Sequence, residues 1–190
     1  MSALVKFWGT RGSIPTPGSW TRVYGGNTSC VEIRFGDTIF ICDAGSGIRE
    51  LGKDLIDRDP MPKEVHLFIT HTHWDHINGF PFFSPAFSKG NEFVVMAGHL
   101  VDQGGIEKIL AGTMAQPTFP VPLELMGAQM AFEDFNAGDT LNLFDEVTIR
   151  TTALNHPNGA TGYRIEHGGK SMCYVTDTEH KPGEPDQNIL

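Results

Sequence analysis

The 190 residues contain no apolar run long enough to span a bilayer, which takes roughly 20 residues as a helix. The amino terminus, Met1-Ser2-Ala3-Leu4-Val5-Lys6, also lacks the basic stretch and long apolar segment of a secretory signal. Cysteine is scarce. Cys30, Cys42 and Cys173 are odd in number, scattered and without a Cys-x-x-Cys pair, which argues against a disulfide framework and reads as reduced, buried thiols of a cytoplasmic protein. Basic residues are few as well: 14 Lys and Arg against 23 Asp and Glu give a net charge of −9. Such a balance disfavours general binding to nucleic-acid backbones or anionic membranes. What is abundant is glycine (22) and proline (12), with 39% hydrophobic residues, the composition of a loop-rich globular chain and not of a coiled coil or a disordered tail. The length suits one domain, residues 1–190, and is too short for two ordinary ones.

The densest chemistry lies at His71-Thr72-His73-Trp74-Asp75-His76, directly after the apolar run Val65-His66-Leu67-Phe68-Ile69-Thr70. That run has the pattern of a strand buried on both faces. In extended chain, residues two apart share a side, so His71 and His73 can reach one cation. A turn at Trp74 would swing Asp75 and His76 toward a second. A helical zinc-protease site needs two histidines four apart with a Glu between them, which this stretch does not offer.

Other segments repeat the arrangement of a strand running into a polar loop. Glu146–Ala153 alternates as a strand should and leads into Asn155-His156-Pro157; Ser171–Thr176, paired with Thr161–Glu166 across Gly168-Gly169, leads into Asp177-Thr178-Glu179-His180. Near the start, Leu4–Trp8 reads as a strand followed by a Gly- and Pro-rich loop from Gly9 to Asn27. Its two notable segments, Gly9–Pro15 with Arg11 and Gly25–Cys30 with Asn27, are either fixed turns or one wall of a substrate site, where backbone N–H groups and Arg11 meet an anion. Cys30–Phe35 and Thr38–Cys42 form a hairpin about Gly36-Asp37, and a helix from about Ile48 to Ile56 follows, ahead of a break at Pro60-Met61-Pro62. Asp43 reads as a carboxylate that orients the metal loop by hydrogen bonding. Phe93–Ala97 reads as a buried strand, Gly104–Ala115 as a helix, and His99 as structural. Val101–Phe135 holds five acidic residues and one basic, Lys108. Pro185–Leu190 reads as the start of a helix with Asp186 as its N-cap.

His71-Thr72-His73-Trp74-Asp75-His76 resembles the HxHxDH signature of the metallo-β-lactamase superfamily. The Gly-Thr-Arg-Gly-Ser opening, Gly-Asn-Thr-Ser and Tyr174-Val175-Thr176-Asp177-Thr178 make the chain most similar to its phosphodiesterase branch, which includes ribonuclease Z, phosphoribosyl cyclic phosphodiesterases and cyclic-nucleotide phosphodiesterases. The resemblance implies an α/β fold, the αββα sandwich, here expected to lack its C-terminal portion, because the family supplies a last His from beyond the bridging Asp. It implies two divalent ions, zinc with manganese or iron as alternatives. His71, His73 and His156 would hold the first, Asp75 and His76 the second, and Asp177 would bridge them. Asp75 would also orient the nucleophile and His180 would serve as proton donor or substitute ligand, with Arg11 and Asn27 on the substrate. The implied substrate is a small cyclic phosphodiester, with neither long nucleic acid nor membrane as partner. An incomplete sandwich would leave apolar surface for a homodimer to cover. A thioester or lactam hydrolase of the same fold, or a catalytically incomplete binding domain, is the alternative.

Overall fold

The computed structural model describes residues 3–189 except Asp37, Asp59, Met61, Lys63, Asp145, Lys181 and Pro185. The expected turn at Gly36-Asp37 and break at Pro60-Met61-Pro62 therefore lie partly outside the described residues. Two sheets are stacked. The first has six strands in sequence order: β1 (Ala3–Gly9), β2 (Cys30–Phe35), β3 (Thr38–Cys42), β4 (Glu64–Ile69), β5 (Glu92–Ala97) and β6 (Gln129–Asp134). β1, β2 and β3 are antiparallel neighbours, whereas β3 to β6 run parallel. Parallel neighbours need crossovers, and the chain supplies α1 (Ile48–Ile56) after β3 and α3 (Gly105–Thr113) after β5, with the short α2 (Trp74–Ile77) and two 3₁₀ turns after β4. The second sheet is an antiparallel meander of β7 (Thr140–Phe144), β8 (Val147–Leu154), β9 (Ala160–His167) and β10 (Lys170–Tyr174).

Side-chain alternation divides the interior into two layers of core. On β3 to β5, Ile39, Ile41, Val65, Leu67, Ile69, Phe93, Val95 and Ala97 face the helices, meeting Ile48, Leu51 and Leu55 of α1 and Ile106 and Leu110 of α3. The α1 positions recur at three, four and seven residues, the stripe a helix needs to bury one face. On the other side, Val31, Ile33, Phe40, Phe68 and Met96 meet Val147, Ile149, Tyr163 and Ile165 of the second sheet and Phe135 just after β6. Each fully buried Leu or Ile contributes roughly 1.5–3 kcal/mol, so these layers hold the edges of the sheets in fixed relation.

The layers present are thus helices, sheet and sheet. Among the described residues the outer face of the second sheet carries exposed Arg150, Arg164 and Cys173 rather than a packed helix. Cys173 corrects the expectation of three buried thiols: Cys30 and Cys42 are buried, whereas Cys173 faces outward on β10. At the C-terminal end, residues 186–189 make a turn, with Asn188 N–H donating to Asp186 Oδ1 at 2.9 Å and Ile189 N–H to the Asp186 carbonyl. Pro185 and Leu190 of the expected helix lie outside the described residues.

The topology concentrates chemistry at one edge. β3, β4 and β5 are parallel, so their carboxyl ends deliver Asp43, His71 and His99 to the same side, the location where open α/β sheets bind ligands. β8 and β10, each antiparallel to β9, deliver His156 and Asp177 to that side from the other sheet. Two hydrogen bonds stitch the sheets there: Thr161 N–H to the Thr70 carbonyl at 2.8 Å and Tyr163 O–H to the Ile69 carbonyl at 2.7 Å.

Candidate metal centre

Immediately past β4 the chain stays extended through His73 (φ −61°, ψ 150°) and then turns into α2. His71 and His73 consequently project together, and His156 joins them from the β8–β9 loop. The three imidazole centroids form a nearly equilateral triangle with sides of 4.6, 4.7 and 4.8 Å. His71 Nε2 is buried and, among the described residues, has no hydrogen-bond partner. Burial, together with the neighbouring charges of His76, His73 and His156, lowers the His71 pKa to about 3, against the opposing pull of Asp43. The ring is therefore neutral at pH 7, the state that can donate a lone pair.

Asp177 Oδ2 lies 3.8 Å from Nε2 of His71, of His76 and of His156. Two groups of possible ligands follow, His71, His73, His156 and Asp177 in one and Asp75, His76 and Asp177 in the other, with the atoms of each group within 4.8 Å of one another. Ligands at about 2.0–2.1 Å from a tetrahedral ion need separations of that order. Asp177 belongs to both groups.

Behind the ligands sits Asp43, fully buried. Its carboxylate accepts from Thr70 N–H at 2.8 Å, Thr70 O–H at 2.9 Å and Tyr174 O–H at 3.0 Å, and it contacts His76 Nδ1 at 2.8 Å. A proton on His76 Nδ1 donated to Asp43 leaves Nε2 free to face Asp75 and Asp177. For His76, burial disfavours the charged ring, but the hydrogen bond and charge of Asp43, with Asp75 and Asp177, outweigh it and raise the pKa. Asp43 itself adopts φ 63°, a conformation in which Asp and Asn are enriched over other side chains. The loop it begins crosses the α2 turn with no room for side chains: a Cβ on Gly45 would lie 2.3 Å from the Asp75 carbonyl oxygen, and one on Gly79 2.1 Å from that of Gly45. Ala44 N–H donates to the His76 carbonyl and Gly79 N–H to that of Ala44.

The amino-terminal loop closes the second group from outside. Ser13, at φ 69°, aims its N–H at Asp75 Oδ2 over 2.7 Å. Arg11 is exposed and, among the described residues, forms no ion pair. Asn27, expected on the substrate, also anchors this loop. Its Oδ1 accepts from Ser46 O–H at 3.1 Å and its carbonyl from the N–H groups of Thr10 and Arg11, so it holds the loop in place. His180 is exposed and joins neither donor group. Sequence reasoning missed Tyr174, Thr70 and Ser13: the first is 131 positions from Asp43, and the last contributes only a backbone N–H. His99 is half-buried with both ring nitrogens enclosed and unpartnered; burial lowers its pKa to about 4, with His73 adding to the shift and Asp43 opposing it.

Residues 38–189 match a family model described as a beta-lactamase superfamily domain. Ribonuclease Z of Staphylococcus carnosus (strain TM300) is 27% identical over 195 residues, covering 97% of this chain and 58% of that protein. Among solved structures, the metallo-beta-lactamase fold protein YhfI from Bacillus subtilis aligns with a TM-score of 0.66 at 19% identity, over 95% of this chain and 65% of that one. The short form of human tRNase Z aligns with a TM-score of 0.63 at 16% identity, over 93% and 69%. The chain spans about half the length of the curated relatives it matches.

Proposed function

The chain belongs to the beta-lactamase superfamily and has the metallo-β-lactamase fold, and from that premise we propose that it is a metal-dependent phosphodiesterase acting on a small cyclic phosphodiester. The observation that carries the proposal is the position of Asp177 Oδ2, equidistant from histidines of two adjoining donor groups. The donor set fits a pair of divalent ions: neutral imidazoles and carboxylates suit zinc, with manganese or iron as alternatives, and the buried, unpartnered Nε2 of His71 supports an ion in the first group. When bound, such a pair supplies an activated water and neutralises charge on phosphoryl oxygens.

The protein's own groups do the positioning. His71, His73 and His156 would hold a first ion and Asp75 and His76 a second, with Asp177 within reach of both groups. The Ser13 N–H fixes one oxygen of Asp75 and would so orient that carboxylate toward a bound ion. Asp43 fixes the His76 tautomer. Arg11 stands free beside Ser13 to neutralise a non-bridging phosphoryl oxygen, as preorganised cations do for developing charge.

The curated relatives are named ribonuclease Z, which supports phosphodiester hydrolysis and offers RNA as a second reading. The charge of −9 and the acidic Val101–Phe135 segment favour the small substrate, because each phosphate of a long polyanion ordinarily needs a compensating cation. The test is metal analysis of the purified chain followed by turnover of cyclic phosphodiesters, precursor tRNA, a thioester and a lactam. Cyclic phosphodiesters should be hydrolysed best, and Asp75→Ala should abolish turnover while leaving the circular dichroism spectrum intact. Faster processing of tRNA, or thioester turnover above that of every phosphodiester, would refute the proposal.

A further inference from the structure

The loop between β1 and β2 forms a second recess beside the metal centre. Arg11, Ser13, Trp20, Thr21, Tyr24 and Gly25 line a cavity of about 490 Å³, within the roughly 300–1,000 Å³ range of small-ligand sites. Ser13 is common to both places, since its N–H is the group held against Asp75. Trp20 and Tyr24 remain 75% and 83% exposed, a costly placement for large rings.

The loop that carries them is nonetheless held in position. Trp20 rests on Gly18, where a Cβ would come within 2.8 Å of two ring carbons. The turn beneath is closed by Gly25 N–H to the Thr21 carbonyl at 2.8 Å, Thr21 O–H to the Gly18 carbonyl at 3.0 Å and Thr10 O–H to the Tyr24 carbonyl at 3.2 Å. Thr16 N–H to the Gly26 carbonyl at 2.9 Å ties the loop's two arms. Trp20 and Tyr24 are thus presented on a braced loop, in one recess with Arg11 and with Ser13, whose N–H meets the metal centre's Asp75.

We infer that this recess is a nucleobase subsite, so that the small phosphodiester is a cyclic mononucleotide. The inference rests on the phosphodiesterase reading above. Aromatic side chains stack on any base through its π-face. Arg11 repels the quaternary and primary ammonium ligands that aromatic cages otherwise attract, and it suits a ring rich in hydrogen-bond acceptors that is joined to a phosphate. The acidic balance of the chain favours one nucleotide over a polymer.

The experiment compares the metal-loaded chain with Trp20→Ala, Tyr24→Ala and Trp20→Phe on 2′,3′-cyclic AMP, on ribose 1,2-cyclic phosphate, which has no base, and on the dinucleotide ApA. Loss of stacking by alanine substitution corresponds to roughly 5- to 100-fold in binding. Trp20→Ala should raise KM for 2′,3′-cyclic AMP about tenfold more than for the base-free substrate, with little change in kcat, and Trp20→Phe should restore most of the difference. In parallel, AMP should quench tryptophan fluorescence in a Trp20-dependent manner where ribose 5-phosphate does not. Equal effects of Trp20→Ala on the two cyclic substrates, quenching by both ligands alike, or an effect confined to ApA would overturn the inference. Trp20-dependent AMP quenching without turnover of any phosphodiester would instead remove the hydrolase reading and leave the subsite standing.

Discussion

Asp43→Asn isolates the contribution of a single buried carboxylate to metal affinity. Asn occupies the φ 63° conformation of Asp43 nearly as readily as Asp, so the backbone is spared and only the chemistry changes. One oxygen remains to accept from Thr70 N–H, and the new NH₂ then faces His76 Nδ1 and Tyr174 O–H, both of which have a carboxylate oxygen as their partner in the parent chain. His76 can satisfy that NH₂ only by moving its own proton to Nε2, the nitrogen 3.6 Å from Asp75 Oδ2 and 3.8 Å from Asp177 Oδ2. A protonated Nε2 cannot ligate. Removing such a supporting partner weakens metal binding about 10- to 100-fold, or about 1.4–2.7 kcal/mol. Zinc competition against a chromophoric chelator should show this loss on the Asp75–His76–Asp177 group, with the three-histidine group far less affected. Nitrogen NMR of the metal-free variant should find the His76 proton on Nε2. Unchanged affinity at both groups, with Nε2 still unprotonated, would refute the reasoning.

Four further outcomes are expected. Zinc titration of the parent chain should resolve one tight and one weaker site, because the first donor group has four members and the second three; two equally tight sites would contradict the assignment. Tyr174→Phe removes one neutral donor from Asp43 and should lower stability by about 0.5–1.5 kcal/mol, with zinc affinity falling less than in Asp43→Asn. Arg58→Ala strands the fully buried Glu32, which Arg58 meets at 2.8 Å, and should cost about 3–5 kcal/mol in urea denaturation, much of it recovered in the double variant with Glu32→Gln. His99, held near 4 by burial, stays neutral in the folded chain while the unfolded chain takes up a proton below about 6.5. Its contribution to stability is therefore present above about pH 6.5 and lost as pH falls toward 4. The metal-free parent should lose about 1–2 kcal/mol more than His99→Asn between pH 7 and 5, and identical pH slopes would contradict the burial of that ring.

The candidate donor positions stand out because each sits where an apolar or alternating run meets a polar loop, and hydrophobic periodicity marks such junctions well. Glu92–Ala97 and Val147–Leu154 announced themselves in this way. Gln129–Asp134 did not: β6 buries only Met130 and Phe132 in part and exposes Gln129, Glu133 and Asp134 on either side of them, which locally looks like a polar connection. Thr140–Phe144 is short and was silent for the same reason. The hydrogen-bond partners of Asp43 could not be read locally either, since Tyr174 reaches it from the other sheet. The brace between Ser46 O–H and Asn27 Oδ1 was equally hidden, because the two residues lie 19 positions apart.

The crossing of Gly45 and Gly79 bears on how ions enter and leave. Because two backbones in mutual contact set the spacing between Asp43 and His76, the cradle should keep its shape without an ion. Filling it spends little conformational entropy, unlike small metallo-domains in which coordination and folding are one event. Loading should then be paced by the shedding of water from the incoming ion, and a chelator should strip the centre while leaving the sandwich folded.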